Sequence, residues 1–75
     1  MRFFIDYRTK QQSLYDYEGD EFLSSKDAFD FARETALSLQ NKLDGAWLGW
    51  SVEVRDAKGR KYVSFPVGPG AGMAA

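Results

Sequence analysis

Two clusters of side chains in this chain could do chemistry. Around Gly19 stand four carboxylates: Asp16, Glu18, Asp20 and Glu21. Carboxylate oxygens bind hard cations, and a pair of them can act as an acid and a base. The spacing here lacks the calcium-loop pattern, which ends in a glutamate at its twelfth position. We therefore expect a solvated acidic turn with no metal bound.

The second cluster is basic and aromatic and consists of Arg55, Lys58, Arg60, Lys61 and Tyr62. The run from Lys58 to Phe65 resembles the RNP1 strand of RNA-recognition motifs, in which aromatic rings stack on bases. Arg60 stands where the first stacking aromatic belongs, and the chain lacks the second helix of that fold. Nucleic-acid binding through these five residues is therefore the alternative function, beside the simpler interpretation of a polar hairpin tip.

The composition disfavours most enzyme sites. None of the 75 residues is histidine or cysteine, so disulfides are excluded and we expect no zinc, haem or other cofactor. Many activated nucleophiles need a neighbouring base, and imidazole is the usual one. We therefore expect a protein that is not an enzyme.

Charge and hydropathy give no indication of membrane insertion or of binding to an anionic membrane surface. The net charge is −1, so no global field attracts nucleic acid or anionic lipid. No apolar run approaches the roughly 20 residues of a bilayer span. We expect a soluble, cytoplasmic protein, in keeping with the absence of cysteine.

Alternation of apolar and polar residues predicts four strands. They cover residues 3–8, 13–18, 50–55 and 63–67. The inward face of the second strand is ambiguous. Asp56 and Gly59 occupy the first and last positions of a predicted type I turn, which joins the last two strands. Pro66 cannot donate to a ladder, so we place the last strand at a sheet edge.

A helix is predicted from Ser25 to Asp44. Ser24 is its N-cap, Asp27 completes a capping box, and Gly45 can adopt the left-handed conformation that ends helices. One apolar stripe should face the sheet: Phe29, Ala32, Ala36, Leu39 and Leu43. Phe31 and Leu37 lie more than about 100° from the centre of that stripe.

These elements predict an α+β fold with the order ββαββ. An antiparallel four-stranded sheet of spatial order 2-1-3-4 follows if every neighbour is antiparallel and the crossover is right-handed. We expect one domain over residues 1–67 and a flexible glycine-rich tail over 68–75. The sheet face away from the helix should carry Phe4, Leu14 and Tyr62 among charged residues.

The aromatic content suggests an interface. Six Phe, four Tyr and two Trp are many for so small a fold, and one helix covers only one face of a sheet. The residues expected to meet a partner are Phe4, Phe31, Leu37, Trp47 and Tyr62. The simplest partner is a second copy of the chain, although scattered surface apolar residues are also ordinary.

Three segments carry a resemblance to a known family. They are residues 2–6 (Arg-Phe-Phe-Ile-Asp), residues 16–21 around Gly19, and residues 50–56 followed by Gly59. Their order and spacing resemble a family of short uncharacterised bacterial proteins, mostly alphaproteobacterial. Phe29, Phe31 and the glycine-rich tail depart from it. The resemblance implies a domain of unknown function, supports the fold, and offers no catalytic residues to carry over.

Overall fold

A computed structural model of the chain describes residues 1–42 and 45–68, and its elements follow the predicted order. The bounds are β1 Arg2–Arg8, β2 Ser13–Leu14, β3 Asp20–Glu21, α1 Ser25–Gln40, β4 Ser51–Asp56 and β5 Lys61–Pro66. The predicted α+β architecture, one helix with an antiparallel sheet, is confirmed.

The sheet has the predicted strand order with one more strand than expected. Its path is β2-β1-β4-β5, and β3 also pairs with β1. In the centre, Ile5 of β1 lies opposite Val54 of β4. Strand β5 is an edge strand, as the position of Pro66 predicted.

The predicted strand 13–18 is instead two short strands, β2 and β3. Both pair with β1, with Leu14 opposite Tyr7 and Asp20 opposite Phe3, while residues 15–19 leave the sheet between them. The Asp16 carboxylate takes the Ile5 N–H (3.2 Å), which a continuous strand would have paired with a carbonyl. A side-chain hydrogen bond thus replaces one backbone hydrogen bond between the strands. The predicted second strand is interrupted at this point, and the sheet therefore has five strands.

The helix α1 begins as predicted and ends earlier. The Ser24 hydroxyl accepts the Asp27 N–H (3.2 Å), which satisfies one of the unpaired donors of the first turn. At the other end Asn41 donates to the Ser38 carbonyl, an i→i−3 bond that tightens the chain and closes the helix at Gln40. The predicted end at Asp44 and the stripe residue Leu43 lie outside the described residues.

Three alanines bring α1 close to the sheet. Ala28, Ala32 and Ala36 are buried and pack with apolar side chains of the strands: Phe3, Ile5, Val52, Val54 and Val67. The predicted stripe is confirmed for Ala32 and Ala36, while Phe29 and Leu39 are partly buried at its margins. Small residues at this contact allow a close approach between the helix and the sheet.

The position of α1 over the sheet is asymmetric. It packs mainly against β4 and β5 and makes fewer contacts with β1. Phe29 on one flank of the helix meets Tyr62 of β5, with ring centroids 6.0 Å apart, whereas Phe31 on the other flank faces the β1 side. The helix-side face of β1 and β2 is thus left partly uncovered.

In the hairpin between β4 and β5, the Tyr62 side chain points in a different direction from the one predicted. Its turn is as predicted, since the Gly59 N–H donates to the Asp56 carbonyl (3.0 Å). However, the register shifts beside Val54, and Tyr62 is the extra residue of the bulge. Its ring packs against Phe3 on the helix side, and the expected position of Tyr62 on the opposite face is therefore wrong.

Two further expectations concern the ends of the chain and the membrane. Gly68, where the predicted tail starts, is buried beside Leu48, and residues 69–75 lie outside the described part. Within residues 1–42 and 45–68, no helix has the length and apolar character to cross a bilayer.

Candidate functional site

The uncovered face of β1 and β2 forms an open groove along one flank of α1. We call it the flank groove, and its volume is about 390 Å³. Its lining residues are Ile5, Tyr7, Leu14, Tyr15, Asp16, Asp20, Phe31 and Trp47. Most are apolar or aromatic, with two carboxylates on the side of the loop 15–20.

Strand register and helix phase bring these side chains together. Leu14 lies directly opposite Tyr7, so both point to the helix side of the sheet. Trp47 packs on Tyr7 (ring centroids 5.7 Å apart) and on Trp50 (5.1 Å). These contacts hold Trp47 at the end of the flank groove next to Tyr7. Phe31 forms the opposite wall, where its ring rests on Phe22 (5.7 Å).

The groove exposes large apolar side chains that neighbours hold in place. Leu14 is 49% exposed, Tyr15 46% and Phe31 45%. Tyr7 is half-buried, and burial, followed by the nearby Asp16 carboxylate, raises the pKa of its hydroxyl. The phenol therefore stays protonated and can donate a hydrogen bond into the groove.

Asp16 organises the loop that forms one wall of the flank groove. One oxygen accepts the N–H groups of Glu18 (3.1 Å) and Gly19 (2.9 Å), and the other accepts that of Ile5. Burial opposes ionisation, but these three amides and the Arg55 charge outweigh it and lower the pKa of Asp16. The carboxylate is consequently ionised at neutral pH and fixes the loop to β1.

A buried ion pair on the other face of the sheet holds the same loop. Arg55 donates from Nε to Asp6 Oδ2 (2.8 Å) and from Nη2 to both Asp6 Oδ1 (3.2 Å) and the Asp16 carbonyl (3.0 Å). Asp6 is 2% exposed and also accepts the Asp16 N–H (2.9 Å). The guanidinium is thereby shared between the sheet and the loop.

The face opposite the helix carries several charged side chains. The Arg55 guanidinium lies over the Phe4 ring, with Cζ 4.7 Å from its centroid. Next to this pair, Glu53 Oε1 lies 3.5 Å from Lys61 Nζ and 3.8 Å from Arg8 Nε. The charged side chains of this face pair with one another, and Phe4, Tyr15 and Tyr17 line a second, open concavity beside Arg55.

The five residues expected at an interface do not form one patch. Phe31 and Trp47 line the flank groove, whereas Leu37 (52% exposed) lies on the other helix flank. Phe4 lies beneath Arg55 on the charged face, and Tyr62 packs on Phe3 and Phe29. Two of the expected residues thus share a site, and three are elsewhere.

Sequence reasoning missed Tyr7, Leu14 and Tyr15 as members of this site. The pairing of Tyr7 with Leu14 was the signal that could have found them, but the inward face of the second predicted strand was ambiguous. Leu14 lies on the helix side and not, as expected, on the opposite face. The register of β2, in which Leu14 pairs with Tyr7, determines this direction.

The residues of the alternative nucleic-acid site are dispersed. Lys58 and Arg60 are exposed at the hairpin tip, and Lys61 is near Glu53. Arg55 is engaged by Asp6, which raises the pKa of its guanidinium, and Tyr62 donates its hydroxyl to Asp56 Oδ2 (3.1 Å). Both Arg55 and Tyr62 are therefore already engaged in contacts within the fold.

Two of the four acidic residues around Gly19 make contacts within the fold. Asp16 binds backbone amides, and Glu21 pairs with Arg2 (3.1 Å) and with the terminal amine (3.4 Å). In the part of the chain that the structure describes, no three acidic residues converge as metal ligands.

Comparisons with known proteins place the chain in a family. No curated protein and no solved structure matches it. The sequence profile of one family matches residues 2–68, which include all six elements and every residue of the flank groove. This agrees with the resemblance drawn from the three sequence segments, and the chain therefore belongs to the family described as a domain of unknown function, DUF6894.

Proposed function

We propose that this domain is a non-enzymatic protein-interaction module whose flank groove binds an apolar segment of a partner protein. The observation that carries the proposal is the offset of α1 toward β4 and β5. It leaves Leu14, Tyr15 and Phe31 about half exposed around one concavity. Aromatic side chains held on a rigid surface are common anchors of protein interfaces.

Charge at the flank groove specifies the partner further. Asp20 lines it, is exposed, and makes no ion pair within residues 1–42 and 45–68. Asp16 adds a second carboxylate, whose lowered pKa keeps it ionised. A segment that carries a lysine or arginine beside its apolar side chains would thus fit best.

The edges of the sheet favour docking by side chains over the addition of a strand. At the β1 edge, β2 and β3 are two residues long, and the Asp16 carboxylate takes the Ile5 N–H between them. At the other edge, in β5, Pro66 lacks an N–H group and Lys61 carries a positive charge. Short strands, proline and lysine all disfavour strand addition.

The carboxylates of Asp16 and Asp6, on the two sides of the sheet, are engaged within the fold, which supports a binding role rather than catalysis. The Asp16 carboxylate already accepts three backbone N–H groups, and Asp6 is paired with Arg55. General acid or base work requires a group that is free to exchange a proton with a substrate. A cytoplasmic location is part of the proposal and rests on the cysteine-free composition.

Selection from a library of displayed random peptides tests the proposal. Peptides enriched on the wild-type domain are expected to carry apolar residues and at least one cation. Their affinity should fall about tenfold or more for Phe31→Ser, because truncating an aromatic residue that anchors an interface typically costs about 2 kcal/mol or more. The matched control is Leu37→Ser, which changes a similarly exposed residue on the other flank of α1.

The outcomes separate this groove from other surfaces. Loss of binding in Phe31→Ser with binding retained in Leu37→Ser supports the proposal. No enrichment on the wild type, equal binding to Phe31→Ser, or loss confined to Leu37→Ser contradicts it.

A further inference from the structure

One carboxylate of the flank groove has oxygens that are available to a ligand. Asp20 lines the groove and is exposed, and its carboxylate makes no hydrogen bond or ion pair within residues 1–42 and 45–68. The other carboxylate of the groove, that of Asp16, already accepts three backbone N–H groups. Asp20 is therefore the acid that a ligand can reach with both oxygens open.

Strand geometry places an aromatic ring next to this carboxylate. Asp20 lies opposite Phe3, whose side chain is buried on the helix side of the sheet. Phe22 follows two residues after Asp20 and points to the same side, where its ring packs on Phe3 (centroids 6.2 Å apart) and on Phe31 (5.7 Å). Phe31 is 45% exposed and lines the flank groove. An open carboxylate and a ring surface thus meet at the β3 end of the groove.

The other face of the sheet shows what such a combination holds. There the Arg55 guanidinium lies over the Phe4 ring (4.7 Å) and donates two hydrogen bonds to the Asp6 carboxylate (2.8 and 3.2 Å). A forked pair with a carboxylate and a stack on a ring suit a planar guanidinium, and the compact ammonium of lysine does not match that geometry. The flank groove offers the same two kinds of partner without a guanidinium between them.

The cations of the chain itself leave the charge of the groove uncompensated. Within the part of the chain that the structure describes, no lysine or arginine lines the flank groove. Four arginines pair with carboxylates elsewhere: Arg2 with Glu21, Arg8 with Glu53, Arg33 with Asp30 and Arg55 with Asp6. The negative charge at Asp20 is therefore left for a cation of the partner to complement.

We propose that the flank groove selects an arginine in the segment that it binds, with the guanidinium stacked on Phe31 and hydrogen-bonded to Asp20. The inference rests on the proposed function and names the residue class that the groove recognises. Apolar neighbours of that arginine lie over Tyr7 and Leu14, farther along the groove. Asp20 determines the specificity for arginine over lysine, because its two oxygens match two parallel N–H groups of a guanidinium.

Analogues of a selected peptide test the ligand side of this contact. The peptide most enriched on the wild-type domain is synthesised with its arginine kept, replaced by lysine, or replaced by citrulline, which has a similar planar shape without the charge. Fluorescence anisotropy measures the affinity of each. The lysine analogue should bind at least about fivefold more weakly and the citrulline analogue at least about tenfold more weakly, because each loses part of the paired, charged hydrogen bonding.

Asp20→Asn tests the protein side of the contact. It should weaken the arginine peptide about tenfold and the citrulline analogue less than about twofold, since the charged pair is already missing in that analogue. The matched control is Asp30→Asn, which removes the same charge seven residues before Leu37, on the same flank of α1, where Asp30 pairs with Lys26 and Arg33. The control should bind the arginine peptide within about twofold of the wild type.

The outcomes separate this inference from the proposed function. Selected peptides without a shared arginine, a lysine analogue that binds equally well, unchanged binding to Asp20→Asn, or an equal loss in Asp30→Asn overturns the choice of arginine by Asp20. If binding still depends on Phe31 and not on Leu37 in any of these cases, the docking groove stands. No enrichment of peptides on the wild type overturns both proposals.

Discussion

Arg55 Nε lies 2.8 Å from Asp6 Oδ2 across two neighbouring strands, and this pair joins the sheet to the loop that walls the flank groove. Asp6 is almost fully buried, and its carboxylate is compensated by the guanidinium and by the Asp16 N–H. Ion pairs of this kind are costly to break on one side, because the remaining charge stays without compensation. The pair therefore fixes the position of the loop.

Replacing Arg55 with methionine should destabilise the domain by about 3–5 kcal/mol, since Asp6 is left buried and unpaired. Arg33→Met is the matched control, because Arg33 is exposed and its pairing with Asp30 spans 3.4 Å. Its cost should be under about 1 kcal/mol. Urea unfolding measures both variants. Equal destabilisation by the two variants would contradict the claim that the pair between Arg55 and Asp6 stabilises the fold more than an exposed ion pair does.

Asp16→Asn should flatten the acid limb of the stability curve. The pKa of Asp16 is lowered in the folded state, below an unfolded value of about 3.9. The ionised group therefore stabilises the fold above about pH 4, and this contribution is lost as pH falls through the folded pKa. At pH 7 the variant should be about 1–2 kcal/mol less stable than the wild type.

Unfolding free energies between pH 2 and pH 7 test this expectation. The two curves should converge toward low pH, and parallel curves would contradict the role given to Asp16. Some pH dependence should remain in the variant, because the Arg60 N–H and other donors also lower the pKa of Asp56.

Gly19→Ala should destabilise the domain more than Gly49→Ala. Both glycines have positive φ, +73° and +91°, so either alanine strains the backbone. At Gly19 the new Cβ would lie 2.9 Å from Phe4 Cε2 and 3.0 Å from the Phe3 carbonyl oxygen, whereas at Gly49 no atom lies within 4 Å. We expect about 1 kcal/mol at Gly49 and at least about 1 kcal/mol more at Gly19. Urea midpoints check the order, and a larger loss at Gly49 would contradict the packing described for the loop.

Single-stranded RNA and DNA should bind weakly, without a strong contribution from the hairpin tip. Arg55 and Tyr62 are engaged within the fold, which leaves Lys58, Arg60 and Lys61 as a small positive group. Titration of labelled oligonucleotides at 50 and 200 mM salt should give dissociation constants at the weak end of the non-specific range, roughly 10⁻⁴ M. Micromolar binding that falls steeply with salt and disappears in Lys58→Ala with Arg60→Ala would restore the nucleic-acid alternative.

The elements with strong local signals could be predicted from the sequence. Alternation in β1 and β4 and the N-cap at Ser24 give the fold class, and Pro66 gives the edge strand. These signals depend on residues near one another in the chain. Together these signals specify the strand order, because few sheet topologies keep every neighbouring strand antiparallel with short connections.

The candidate site depends on contacts between distant residues and was only partly predictable. The Asp16 carboxylate ends the ladder at Ile5, eleven positions away, and the bulge at Tyr62 turns that ring toward the helix. Alternation assumes an unbroken ladder, so it assigns the wrong face where a side chain or an extra residue interrupts pairing. The offset of α1 likewise comes from packing that no local pattern reveals.

Amide chemical-shift mapping tests most directly whether the flank groove is the docking surface. Spectra of ¹⁵N-labelled protein would be recorded over a range of concentrations and during titration with a selected peptide. The account predicts the largest shifts at Tyr7, Leu14, Phe31 and the Trp47 indole N–H, with little change at Leu37 or Lys61. Shifts concentrated on the charged face around Arg55, or on the helix flank around Leu37, would contradict it.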